Sequence, residues 1–228
     1  MKFETKARPK GVTIEAATQA KREVIAAAVE CNCLFIAYIV LHAIAKNKGI
    51  ENSIQFGANS VIAKFNSYLG KQKSYGIVAM DRHPKGTEFD YLSEKFTKGL
   101  SLPKGDIQVL DRIVMFTSTC INASHMSSVM DIVLGSWRYC INQPKNAEAA
   151  KIMMNELVKL IWHDKQSEDI LAHELGLLFR PLEVKHPPYK AEYDALLAQI
   201  NQLLRIPNRS VEWGVSALMP SAAPKVKG

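Results

Sequence analysis

The chain has 228 residues, of which 47% are hydrophobic and 22% charged. That balance belongs to a soluble globular protein with a real core, and excludes a disordered, collagen-like or disulfide-stapled chain. Its formal charge is +7, but the two ends supply most of it. Lys2, Lys6, Arg8 and Lys10 stand against Glu4 at the start, and Lys225 and Lys227 close the tail. A near-neutral body with basic ends is weak support for a polyanionic partner. The longest apolar run, 33–45, contains His42 and is shorter than the ~20 residues of a membrane span. The opening Met-Lys-Phe-Glu-Thr-Lys-Ala-Arg-Pro has no apolar segment behind its charges, unlike a secretory signal. Four cysteines form no disulfide framework. The expectation is a reduced, cytoplasmic protein without membrane association.

In chain order, residues 12–30 are Ala-rich with apolar positions three and four apart, which predicts a helix capped by Thr13. Residues 34–44 crowd β-branched and aromatic side chains together and predict a strand buried on both faces. An amphipathic helix is expected over 58–73, then a strand over 75–81 that stops at Asp81, with the loop Arg82-His83-Pro84-Lys85 behind it. A helix over 88–99 and a strand over 108–116 follow. The pattern 124–142 predicts a long helix stopped by Pro144, and 147–163 another. GLLFRPLEV reads as a short strand, and 189–205 as a helix. The tail beyond is read as flexible.

Strands alternating with helices predict an α/β domain with a largely parallel sheet and a helical C-terminal extension. The expected division is a core over 1–145, an extension over 146–206 packed on it, and a tail over 207–228. An alternating sheet normally opens with a strand, whereas this sequence opens with a basic coil and a helix. Part of the sheet is therefore expected to be missing from these residues, or the sheet is small.

Two aspartates stand out. Asp81 closes a predicted strand and precedes Arg82, His83 and Lys85. Ligands gather at the carboxyl ends of strands in open α/β sheets, where the loops diverge. A carboxylate there offers a hard oxygen ligand for magnesium, and the basic residues suit a phosphate beside it. The same Asp81 would equally serve to start a turn or cap a helix. Asp131 sits among Val129, Met130, Ile132 and Val133. If buried, its charge costs several kcal/mol unless paired or metal-bound; the alternative is that it points outward. Helical spacing puts Ser124, Ser127, Ser128, Asp131 and Gly135 on one face. Cys31 and Cys33 lack a second pair at metal spacing, and His163, His173 and His186 lack zinc-ligand spacing, so packed or surface roles fit them better. Trp137, Arg138 and Tyr139 would stack on bases or pack between helices.

The segments YGIVAMDRHPKG and TSTCINASHMSSVMDIVLGSWRYCIN together resemble the prokaryotic and phage family called domain of unknown function 3800. There, one strand ends in an acidic motif and a later helix carries an aspartate followed by two hydrophobic residues and a glycine. Asp81, Asp131 and Gly135 fall on those positions. The resemblance implies a ribonuclease-H-like fold, with a mixed central sheet flanked by helices and clustered carboxylates binding magnesium or manganese. It implies a phosphodiesterase acting on nucleic acid. Asp81 and Asp131 would be catalytic metal ligands, with Glu4 as a third, while Arg82, His83 and Lys85 would bind phosphate. The family's opening strand and its Asp-Glu pair have no counterpart here, so a shortened and inactive form is also expected. The competing reading is a non-catalytic α/β module binding nucleic acid or protein. An open sheet edge would then be covered by a partner or a second copy.

Overall fold

The computed structural model describes residues 11–81, 88–101, 106–119, 124–142, 147–166 and 169–204. Helix α1 (Ile14–Glu30) starts as its sequence directs: the Thr13 hydroxyl accepts from the Ala16 N–H at 3.1 Å, satisfying an otherwise orphaned donor. The apolar run behind it divides. Strand β1 (Ala37–Val40) is only its middle, and α2 (His42–Lys48) begins straight after Leu41. Gly49, at φ 90°, separates α2 from α3 (Ile50–Lys71), which begins eight residues before the expected 58. Strand β2 (Gly76–Asp81) and α4 (Glu88–Lys98) follow as expected.

The expected strand 108–116 is interrupted. Short β3 (Leu100–Ser101) and β4 (Ile107–Gln108) pair antiparallel, and a turn at Asp111-Arg112 separates them from β5 (Ile113–Thr119). The buried side chain of Asn66 holds that turn. Its Nδ2 donates to Asp111 Oδ1 at 3.1 Å, and its Oδ1 accepts from the Arg112 N–H at 3.0 Å. Helices α5 (His125–Ile141) and α6 (Ala147–Leu157) come next, α6 ending six residues before the expected His163. A hairpin, β6 (Asp164–Gln166) with β7 (Asp169–Leu171), leads to β8 (Leu177–Arg180) and the last helix α7 (Pro187–Leu204).

The protein is therefore mixed α and β. Its parallel strands form two separate pairs, β1 with β8 and β2 with β5, and no hydrogen bonds join these into one central sheet among the described residues. The β1/β8 pair is the floor of the larger core. Ala37, Ile39, Leu177 and Phe179 point into it and meet Ile25, Trp137, Met154, Tyr193 and Ile200 from α1, α5, α6 and α7. Residues from the C-terminal third thus share a core with α1 and β1. A second cluster, around Ile62, Leu69, Leu92, Leu100 and Ile113, packs α3 and α4 on one face of β2/β5. Helix α3 also leans on the first pair, where Gly57 lies beneath the Tyr38 ring and Tyr68 meets Trp162 edge-on at 5.2 Å.

Near β1 the chain makes one close junction. Phe35 donates its N–H to Leu160 O at 2.6 Å, and Trp162 returns a bond to Phe35 O at 3.2 Å. Two residues on, Ala37 donates to Gly176 O at 2.7 Å, while Gly176 donates to Trp162 O at 2.8 Å. One edge of β1 is thus filled first by 160–162 and then by β8, with the β6/β7 hairpin inserted between.

Candidate metal and phosphate site

Asp81 is the last residue of β2, in register with Thr119 at the end of β5. Strand residues alternate between faces. Val78, Met80 and Phe116 turn toward α3 and α4, whereas Ile77, Ala79 and Asp81 share the opposite face with Met115, Thr117 and Thr119. That opposite face is open: Ile77 is 54% and Met115 46% exposed. Asp81 is likewise exposed. The hydroxyl residues Thr117, Ser118 and Thr119 line the end of β5 beside it.

Asp131 lies near the middle of α5 and is exposed. The outward alternative is therefore the observed one. Burial falls on Val133, Ser136, Trp137 and Cys140, with Val129 and Ile132 packed beside them, while Met130 also faces outward. The polar stripe is real as a surface: Ser124, Ser127 and Ser128 are half-buried and Gly135 is exposed. A Cβ built on Gly135 would meet no atom of the described residues within 4 Å.

The two aspartates belong to elements of different cores, Asp81 to the β2/β5 cluster and Asp131 to the α1/α5/α6 cluster. Among the described residues no group of three or more His, Cys, Asp or Glu side chains could hold a metal ion. Glu4, Arg82, His83 and Lys85 lie outside the described residues.

The secondary candidates resolve into packing. Trp137 is buried against Phe35, ring centroids 5.9 Å apart, leaving Arg138 and Tyr139 exposed. Cys140 is buried beside Ala150 O, and burial pushes its thiol up to about 11. His173 Nε2 lies 2.8 Å from Asn201 Oδ1, and burial holds the imidazole below its usual value against the opposing pulls of Asn201 and Glu174.

Sequence reasoning passed over one charged group. Arg180, at the end of β8, forms a two-pronged pair with Glu174 at 2.6 and 3.0 Å, and both side chains are mostly buried. Lys64 of α3 is close enough to feel it: burial lowers its ammonium, Glu174 opposes that shift, and Arg180 and Lys71 add to it. The signal was an arginine ending the apolar run Leu177-Leu178-Phe179. The geometry makes this pair a clasp between the turn before β8 and the end of the strand. Comparison of the chain with protein-family models, with curated proteins and with solved structures finds no match.

Proposed function

We propose that the chain is a ribonuclease-H-like α/β protein that binds magnesium or manganese and cleaves phosphodiester bonds in nucleic acid at the carboxyl end of the β2/β5 pair. The supporting observation is the position of Asp81, exposed at the last residue of a parallel strand, with α5 beginning a short link after the neighbouring strand. From Thr119 to His125 the chain takes six Cα steps, a reach of at most about 21 Å. Asp131 then lies roughly 9 Å along the helix. That length of chain allows Asp131 to approach the same end of the strand pair.

The donors suit a hard cation in kind, being carboxylates open to solvent. The third, Glu4, is outside the described residues. The metal, when bound, would supply an activated water and stabilise the leaving oxygen. Asp81 and Asp131 would hold it, and Arg82, His83 and Lys85 would fix the phosphate by charge-assisted hydrogen bonds.

The test is cleavage of end-labelled DNA and RNA, single- and double-stranded, with Mg²⁺ or Mn²⁺. Cleavage that chelation abolishes and that Asp81→Asn removes is the expected result. A second reading, a non-catalytic module that binds a protein with an apolar surface, draws on the open face of Ile77 and Met115. It predicts no cleavage of any of these substrates.

A further inference from the structure

We propose that helix α5 of a second copy of this chain covers the open face of the β2/β5 pair, and that two copies make this contact reciprocally. The inference rests on neither reading of the activity, since it concerns what closes the face and not what the site cuts.

The face calls for a cover. Parallel strands occur almost only where both faces of the sheet are packed. The β2/β5 pair carries α3 and α4 on one face, while Ile77 and Met115 on the other are exposed. Helix α5 presents a matching surface. Met126, Met130 and Leu134 are 56%, 48% and 43% exposed, and one ridge of i, i+4 spacing runs through them to the exposed Arg138. Methionine, unbranched and adaptable, is favoured at docking surfaces of this kind.

Both surfaces are exposed in one molecule, so neither buries the other there. Packing holds each in place. Val133 and Trp137 anchor α5 in the larger core. Helix α3 seats Phe65 and Leu69 against Gly76 of β2 and Gly57 beneath Tyr38 of β1.

The surfaces also match in repeat and in charge. Positions four apart on a helix advance about 6 Å, and alternate strand residues about 6.6 Å. Laid parallel to β2, the ridge sets Met130 by Ile77 and Met115, Leu134 over the small Ala79, and Arg138 at Asp81. Turned the other way, it would bring Arg138 toward Arg112, which stacks on Tyr75 just before β2. Charge thus selects the parallel docking. A stable interface covers ~1,600 Å² in total. Two identical contacts divide that, each asking about 400 Å² of each surface, the size of apolar patch that marks an interaction site. A pair of complementary surfaces on one chain closes in this way as a two-fold dimer.

The test is sedimentation equilibrium of the full chain, with Ile77→Glu and Met130→Lys as variants. Both positions are exposed, and circular dichroism checks that unfolding is unchanged. The expected result is a wild-type dimer whose dissociation constant rises at least about ten-fold in each variant. An equimolar mixture of the two variants then regains the dimer, because one contact is wild type and the other sets the new carboxylate by the new ammonium. A wild type that stays monomeric at ~100 µM overturns the proposal, as does a dimer that neither substitution weakens. A mixture that stays monomeric overturns it too, since a helix on a sheet face must be rescued. Mass that grows past two copies with concentration does the same, being the mark of an open chain of contacts.

Discussion

Gly176 sits in the close junction beside β1, and Gly176→Ala measures what that junction contributes. A Cβ there would meet Trp162 O at 2.5 Å, Trp162 N at 2.7 Å and Ile161 Cγ2 at 2.7 Å. Two of those atoms are backbone and cannot swing aside as a side-chain tip would. The glycine is also held on both sides, donating to Trp162 O and accepting from Ala37. Relief of the clash must stretch one of these bonds or move 160–162 away from Phe35. Overpacking costs roughly 1–3 kcal/mol, and each weakened backbone bond adds about 0.5–1.5 kcal/mol. The gain from a less flexible unfolded chain returns under about 1 kcal/mol. A net loss of about 3 kcal/mol is expected, a large share of a typical ~5–15 kcal/mol. Urea unfolding followed by circular dichroism reads it directly. Gly135→Ala is the control: with open space at its Cβ and a mid-helix position, it should gain about 1 kcal/mol. A Gly176→Ala loss below about 1 kcal/mol would refute the account of the junction.

Two further substitutions probe the seat of α7. The Tyr193 hydroxyl is buried with no hydrogen-bond partner among the described residues, and burial pushes its pKa up to about 12. Tyr193→Phe should leave stability unchanged or raise it by about 1 kcal/mol in urea unfolding, since no bond is lost and a desolvation cost is removed; a loss of that size would mean the hydroxyl is bonded. His173 is held below its usual value chiefly by burial. Its folded pKa is thus below its unfolded one, so the group leaves stability unaltered above pH ~6.5 and erodes it as pH falls, until the folded form also takes the proton. Denaturation measured from pH 7 to 5 should show a decline that is shallower in His173→Gln, by no more than about 1.4 kcal/mol per pH unit. Equal slopes in both proteins would place the imidazole in water.

The helices were legible wherever cap and periodicity agreed, as at Thr13 in α1 and along α5 and α7. The stretch 34–44 misled because one apolar run holds two elements. Its cluster of β-branched residues ends at Val40, with Ile44 alone beyond it, and His42-Ala-Ile-Ala-Lys forms a helix, yet periodicity cannot divide so short a run. The start of α3 was hidden by weak helix formers such as Asn52, Ser53 and Gly57, the last needed small beneath Tyr38. Nothing local marks the break at Asp111, because Asn66, far off in sequence, holds that turn. The end of α6 was missed for a like reason: 160–162 leave the helix to pair with Phe35. At the site, the carboxyl-end position of Asp81 was readable from its strand. The outward direction of Asp131 was not, since apolar neighbours on a helix occupy different faces.

The central claim is that Asp81 and Asp131 share one divalent cation, and titration calorimetry with Mg²⁺ and Mn²⁺ tests it most directly. The wild type is compared with Asp81→Asn and Asp131→Asn, each checked for unchanged unfolding. The account predicts saturable binding in the wild type that each substitution weakens by ten-fold or more, on the order of the ~1.4 kcal/mol that a ten-fold change represents. Binding that survives either substitution intact, or no binding in the wild type, would contradict it.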